Sequence, residues 1–156
     1  MKIILRPPYA SFDPVRFWFA QEKILSTSYV RGSNYDDAPS ITDCVTAARW
    51  LLCASTDFII PVGYIGDLPR ILLNSWSRIS PLQDVRAGDL IFFEKMSLTH
   101  RKYMVYHIGV MISAKEFIHS SKSHNGKISH IDEAPYIYSI LEDSFLPFAR
   151  DPRNHA

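Results

Sequence analysis

The 156-residue chain has few cysteines, no long apolar run and almost no net charge. It contains two cysteines, no internal repeat, and no apolar run near the roughly 18–20 residues that a membrane-spanning helix needs. Its 17 basic and 16 acidic residues nearly cancel, so it lacks the positive excess that binds nucleic acid or an anionic membrane surface. We therefore expect neither a nucleic-acid partner nor insertion into a membrane.

The N-terminus also lacks a standard export signal. Only residues 3–5 are apolar between Lys2 and Arg6, whereas a secretory signal contains an apolar stretch of about 7–15 residues. The sequence therefore predicts a protein that stays in the cytoplasm or is delivered by a non-standard export route.

The two cysteines are predicted to be free thiols. Cys44 and Cys53 lie in one predicted helix, nine positions apart, which would separate their Cα atoms by ~13 Å. A disulfide requires a Cα separation below ~7 Å. Free thiols are compatible with a reducing compartment, and we interpret Cys53 as a structural residue.

Length and patterning predict one α+β domain. We assign residues 1–156, close to the commonest domain size, to a single domain with a core at about 14–146. Helical patterns come first, at 14–26, from Cys44 onward and near 67–76. Strand patterns follow at 89–93, 106–112, 116–120 and 127–131, with Asn125-Gly126 as the hairpin turn before the last. This order indicates N-terminal helices packed on a C-terminal antiparallel sheet.

Cys44 stands at the start of the second predicted helix, where Thr42 or Asp43 would cap the first turn. Backbone N–H groups without helical partners favour a thiolate there, and a thiolate is the form that attacks a carbonyl. Cys44 also belongs to an apolar helix face, together with Ala47, Ala48, Leu51 and Leu52. A small core residue and a nucleophile are therefore both open interpretations.

Two histidines in neighbouring predicted strands, His107 and His119, are twelve residues apart. A three-residue turn at 113–115 would pair Gly109 with His119 and leave His107 diagonal to it, ~7–8 Å away at Cα. A two-residue turn would place the two rings on opposite faces of the sheet. In the first arrangement Cys44 attacks a carbonyl, His107 accepts and later delivers the proton, and His119 orients His107. The Cys44 N–H would then donate to the oxyanion.

Other interpretations of these residues have to be weighed. A single cysteine or histidine in an apolar element is more often a core residue than a catalytic one. Cysteine and two histidines are also zinc ligand types, but no fourth ligand is evident and the spacing differs from zinc motifs. We therefore expect no metal and no cofactor. Asp89, at a predicted strand start, is assigned a structural role in holding a neighbouring loop.

Four short motifs occur in an order that resembles the NlpC/P60 family of papain-like cysteine peptidases. They are Asp43-Cys44 at a helix start, the segments 87–93 (AGDLIFF) and 107–110 (HIGV), and 117–120 (FIHS). The twelve-residue step between the histidines also matches that family. The resemblance implies a papain-like fold, a bacterial or phage origin, and catalysis by Cys44, His107 and His119.

Two further segments resemble the substrate side of that family. In residues 28–32 (SYVRG), Tyr29 occupies the place of a tyrosine beside the catalytic thiol, and residues 68–70 (LPR) resemble a segment after the nucleophile helix. The resemblance implies hydrolysis of bacterial peptidoglycan stem peptides between γ-D-glutamate and a diamino acid. Tyr29 and Arg70 are candidate substrate-binding residues, with simple packing as the alternative.

The chain departs from the family pattern at three places. Val45-Thr46 replaces the usual Ser-Gly after the cysteine, Arg31-Gly32-Ser33 replaces Tyr-Gly-Gly, and residues 94–106 form a longer connection that we expect to be a loop rimming the cleft. Two alternatives therefore stay open. One is a papain-fold amidase, deamidase or acyltransferase with another substrate, as in a phage protein or a secreted effector, and the other is an inactive binding module.

Overall fold

The computed structural model describes residues 2–60, 69, 73, 75–80 and 84–133. Its helices are α1 (Pro14–Leu25), α2 (Cys44–Ser55) and a short 3₁₀ helix (Tyr35–Asp37). Its strands are β1 (Lys2–Arg6), β2 (Ser28–Tyr29), β3 (Ile41–Thr42), β4 (Ser77–Arg78), β5 (Leu90–Ser97), β6 (Lys102–Met111), β7 (Glu116–Ser121) and β8 (Asn125–His130). No helix in these ranges is long and apolar enough to cross a membrane.

Six of the strands form one antiparallel sheet in the order β4-β1-β5-β6-β7-β8. The short strands β2 and β3 pair with each other in parallel. Helix α2 packs on β6 and β7, and α1 packs on α2 and on β7 and β8. Between the helices and the sheet lies one apolar core that includes Ile24, Leu51 and Ile118. The predicted α+β class is confirmed.

The sequence pattern did not predict β1, which is one of the interior strands of the sheet. It pairs with β5, so that Ile4 lies opposite Ile91, and both Ile4 and Leu5 are buried. Five residues are too few to show a reliable alternation of apolar and polar positions. The strand partner, moreover, lies more than eighty residues further along the chain.

Residues 94–106 were predicted to be a loop, and that prediction is wrong. Strands β5 and β6 continue as a hairpin until Ser97 lies opposite Lys102, with a register shift between Phe93 and Glu94. The polar pair Glu94-Lys95 interrupts the apolar run, and the sequence pattern therefore placed the end of the strand too early. The helix predicted near 67–76 lies largely outside the described residues.

A buried ion pair joins β1 to the start of β5. The Asp89 carboxylate, which is fully buried, accepts hydrogen bonds from Arg6 Nε at 2.7 Å and Arg6 Nη2 at 2.9 Å. It also accepts the Arg86 N–H at 3.0 Å, and this bond holds the turn before β5. The hydrogen bond with Asp89 raises the pKa of the Arg6 guanidinium. The expected structural role of Asp89 is confirmed.

We predict that Asp89→Asn lowers the free energy of unfolding by about 3 kcal/mol, because it leaves the Arg6 guanidinium without its counter-charge. Urea denaturation measures the change. Asp132→Asn is the control, since its ion pair with Lys2 is long, at 3.7 Å, and exposed. Such surface pairs contribute little. Equal effects of the two substitutions would contradict the assignment.

Candidate active site

Cys44 is the first residue of α2, and a capping box fixes that helix start. The Asp43 carboxylate accepts the Thr46 N–H at 2.8 Å, and Thr46 Oγ1 accepts the Asp43 N–H at 2.8 Å. Two donors of the first turn are satisfied in this way. Thr46, one of the two residues that depart from the family pattern, therefore has a structural function in holding Cys44 in place.

The segment that contains Tyr29 lies beside the start of α2. In the β2–β3 pair Tyr29 lies opposite Thr42, and the Val30 N–H donates to the Thr42 carbonyl at 2.9 Å. Further along, the Gly32 N–H donates to the Asp43 carboxylate, at a backbone φ of 70° that glycine adopts without strain. The structure thus places Tyr29 next to the Cys44 segment. Arg70, the other predicted substrate-side residue, lies outside the described residues.

His107 and His119 contact each other directly. His107 Nε2 and His119 Nδ1 are 2.7 Å apart, and the rings meet edge to face at 4.9 Å between centroids. Val110 lies opposite Ile118, and this register brings Gly109 opposite His119. The Ile112 N–H donates to the Glu116 carbonyl, which leaves residues 113–115 as the turn. The predicted turn length and shared face are confirmed.

Cys44 joins this pair through the backbone of β6. The backbone N–H of Ile108, the residue after His107, lies near the Cys44 sulfur and acts to lower the pKa of the thiol. The relative exposure is 2% for Cys44, 0% for His107 and 4% for His119. The structure therefore brings together, in a buried cluster, the three residues that the sequence analysis selected.

Gly109 leaves room for the ring that covers His119. A Cβ at this position would lie 2.6 Å from Phe117 Cδ2 and 3.3 Å from the Ile118 carbonyl oxygen, too close to the ring for van der Waals contact. The Phe117 ring lies 4.7 Å from the His119 ring, between centroids, and 5.4 Å from the Phe93 ring. A side chain at position 109 would displace Phe117, and with it the packing that orients His119.

The sequence analysis missed Ser129, whose Oγ lies 2.9 Å from His119 Nε2. Strands β7 and β8 pair with Phe117 opposite Ser129, so the turn is 122–124 and Asn125-Gly126 belongs to β8. The predicted turn at 125–126 is wrong. It would have changed the pairing by an odd number of residues and turned Ser129 to the other face of the sheet.

Burial makes the neutral forms of the cluster the stable ones. It raises the pKa of the Cys44 thiol well above its ordinary value, and the negative charge of Asp43 acts in the same direction. It lowers the pKa of His107 well below 6.5, with a further contribution from His119. The pKa of His119 falls to about 3, again mainly because of burial. Burial therefore opposes the thiolate that the helix terminus favours.

Both cysteines are free, as predicted: Cys44 is buried and Cys53 is exposed. Within the described part of the chain, no group of three or more His, Cys, Asp or Glu side chains is arranged to hold a metal ion.

A model of the NlpC/P60 family matches residues 28–144, which include the cysteine, both histidines and Ser129. The chain belongs to the NlpC/P60 family. Members of this family are cysteine peptidases, and the resemblance inferred from the ordered motifs is confirmed. No curated protein sequence matches the chain.

Two solved structures of the NlpC/P60 family are similar to this chain. NlpC1 from Trichomonas vaginalis superposes with a TM-score of 0.54 at 20% identity, over 83% of this chain and 43% of that one. This chain thus spans less than half the length of NlpC1. The NlpC/p60 domain of the peptidoglycan hydrolase SagA gives a TM-score of 0.49 at 20% identity, over 76% of this chain and 90% of that one. The NlpC1 match shows that the α+β fold is papain-like.

The lowered histidine pKa values predict a stability that falls with acidity. Below pH 6.5 an unfolded histidine binds a proton that the buried ring does not, so the free energy of unfolding decreases as the pH falls. For His119 this loss extends down to its folded pKa of about 3. His119→Asn should remove about 1.4 kcal/mol per pH unit from the slope between about pH 6 and 4.

Denaturant unfolding of both proteins across that pH range measures the difference in slope. His100→Asn is the matched control, because His100 is exposed in the turn between β5 and β6, and this variant should keep the wild-type slope. Identical slopes for wild type and His119→Asn would contradict the burial argument.

Proposed function

We propose that this chain is a cysteine hydrolase that cleaves an amide bond in peptidoglycan stem peptides. The observation that carries the proposal is the 2.7 Å contact between His107 and His119, beside a cysteine at a helix start. This contact gives His107 a fixed orientation, which a general base needs. Membership of a family of cysteine peptidases supports the same assignment.

In the proposed mechanism each ring nitrogen of His107 has one task. Nε2 is held by His119, so Nδ1 is the atom that exchanges a proton with Cys44. The pair starts as thiol and neutral imidazole, and the proton moves to Nδ1 as the sulfur attacks the substrate carbonyl carbon. The carbonyl oxygen becomes an oxyanion, and the Cys44 N–H is its proposed donor.

The second half of the reaction uses the same proton. His107 delivers it to the amide nitrogen, the C–N bond breaks, the amine leaves, and a thioester remains on Cys44. His107 then deprotonates a water molecule, which attacks the thioester carbonyl, and the thiol recovers its proton as the acid product forms. His119 keeps the His107 ring in place throughout.

The bond between γ-D-glutamate and a diamino acid is the substrate bond that we propose. We propose Tyr29 as a substrate-binding residue, and its pairing with Thr42, two residues before Cys44, supports this role. We propose Arg70 as a second substrate-binding residue on the strength of its sequence motif alone. We further propose that residues 1–156 act as a single catalytic domain.

Defined muropeptides test the proposal, with the products followed by mass spectrometry. Wild type should cleave between γ-D-glutamate and the diamino acid, and Cys44→Ala should lose at least about a thousandfold in kcat/KM because the nucleophile is gone. Cys53→Ala is the matched control, since it removes an exposed thiol and should cleave at the wild-type rate.

Three outcomes would contradict the proposal. Cleavage that persists in Cys44→Ala would show that Cys44 is not the nucleophile. Cleavage at another amide would show that the proposed substrate bond is wrong. Absence of turnover with any stem peptide would favour a hydrolase or acyltransferase with a different substrate, or an inactive binding module.

A further inference from the structure

We propose that Ser129 is a positioning residue of the catalytic relay, whose buried hydroxyl accepts a hydrogen bond from His119 Nε2 and thereby supports the tautomer that the relay requires of both histidines. The inference rests on the proposed function, because it assigns a role within the same site. It extends the relay from three residues to four, in the order Cys44, His107, His119 and Ser129.

The first support is geometric. Ser129 Oγ lies 2.9 Å from His119 Nε2, and His119 Nδ1 lies 2.7 Å from His107 Nε2, so both nitrogens of His119 have a partner. Ser129 is 5% exposed and His119 is 4% exposed. Strand pairing places Ser129 opposite Phe117, diagonal to His119 on the same face of the sheet. The hydroxyl is therefore held at the nitrogen by the sheet itself.

The second support is proton counting along the relay. His107 can accept the Cys44 proton at Nδ1 only if that nitrogen carries none, which puts the ring proton on Nε2. Nε2–H then donates to His119 Nδ1, which must carry no proton, so the His119 proton is on Nε2. That N–H needs an acceptor in a buried site, and Ser129 Oγ supplies one.

A serine suits this position better than a carboxylate would. His119 contacts His107 on β6, and the charges of Lys127 on β8 and His124 in the β7–β8 turn act to lower its pKa. The neutral Ser129 hydroxyl can accept from the His119 Nε2–H without stabilising a positive charge on His119. A carboxylate would favour the imidazolium, in which both nitrogens carry protons, and His119 could then no longer accept from His107.

Nitrogen-15 NMR of the histidine rings tests the inference without any substrate. Wild type should show the Nε2–H tautomer for both His107 and His119. Ser129→Ala should give a mixture of tautomers for both rings, because the His119 Nε2–H loses its acceptor. Ser129→Thr, which keeps the hydroxyl, should restore the wild-type signals. Ser55→Ala is the matched control, since it removes a buried hydroxyl that donates to Leu51 in α2.

Kinetics give the second readout. Ser129→Ala should lower kcat about tenfold with little change in KM, Ser129→Thr should recover most of the loss, and Ser55→Ala should leave kcat unchanged. A wild-type His119 that carries its proton on Nδ1, or tautomers unchanged in Ser129→Ala, would overturn the inference.

The two proposals fail in different ways. If no stem peptide is cleaved but the tautomers respond as described, the role of Ser129 is supported and the substrate assignment is contradicted. If cleavage requires Cys44 but the tautomers are the same in Ser129→Ala, the hydrolase assignment is supported and the role of Ser129 is contradicted. Because the wild-type spectrum alone can overturn the inference, the test does not depend on Ser129→Ala being stable.

Discussion

The antiparallel register of β6, β7 and β8 is the constraint on which the rest of the candidate site depends. One register places Gly109 opposite His119, and the next places Phe117 opposite Ser129. Side chains alternate between the two faces of a sheet, so a slip of one residue in either pairing would separate a histidine from its partner. The turns at 113–115 and 122–124 set these registers and therefore determine whether a relay exists at all.

The burial that packs this sheet against α2 also favours the neutral forms of Cys44, His107 and His119. A thiol and two imidazoles that are almost fully removed from water are most stable without charge, because the desolvation of an ion costs more than the helix terminus returns. Burial therefore opposes an ion pair between Cys44 and His107 before a substrate binds. In the proposed mechanism the proton moves from Cys44 to His107 during attack, which requires His107 to be in the accepting tautomer beforehand.

The sequence predicted those parts of the site that depend on local pattern. The α2 start follows from capping residues near Cys44. The shared face of His107 and His119 follows from a three-residue turn between strands whose side chains alternate between the two faces of the sheet. Ser129 could not be found in the same way, because Asn125-Gly126 predicts a two-residue turn, whereas in the folded chain Asn125, at a φ of 57°, directly follows a three-residue turn at 122–124. Gly126 is instead held in β8, where a Cβ would collide with the carbonyl group of Ile24 in α1. Tertiary packing of α1 against the hairpin overrode the local preference.

Asp43 fixes the position of Cys44 and also affects the pKa of its thiol. Its buried carboxylate accepts the Thr46 N–H and thereby fixes the helix start, and the backbone N–H groups of Val45 and Gly32 act to lower its pKa. The charge that makes it a good cap also raises the pKa of the adjacent Cys44 thiol. The residue that fixes the position of the sulfur therefore opposes its ionisation. In the proposed mechanism activation comes from His107, which precedes Ile108 on β6, and the Ile108 N–H acts to lower the pKa of the thiol.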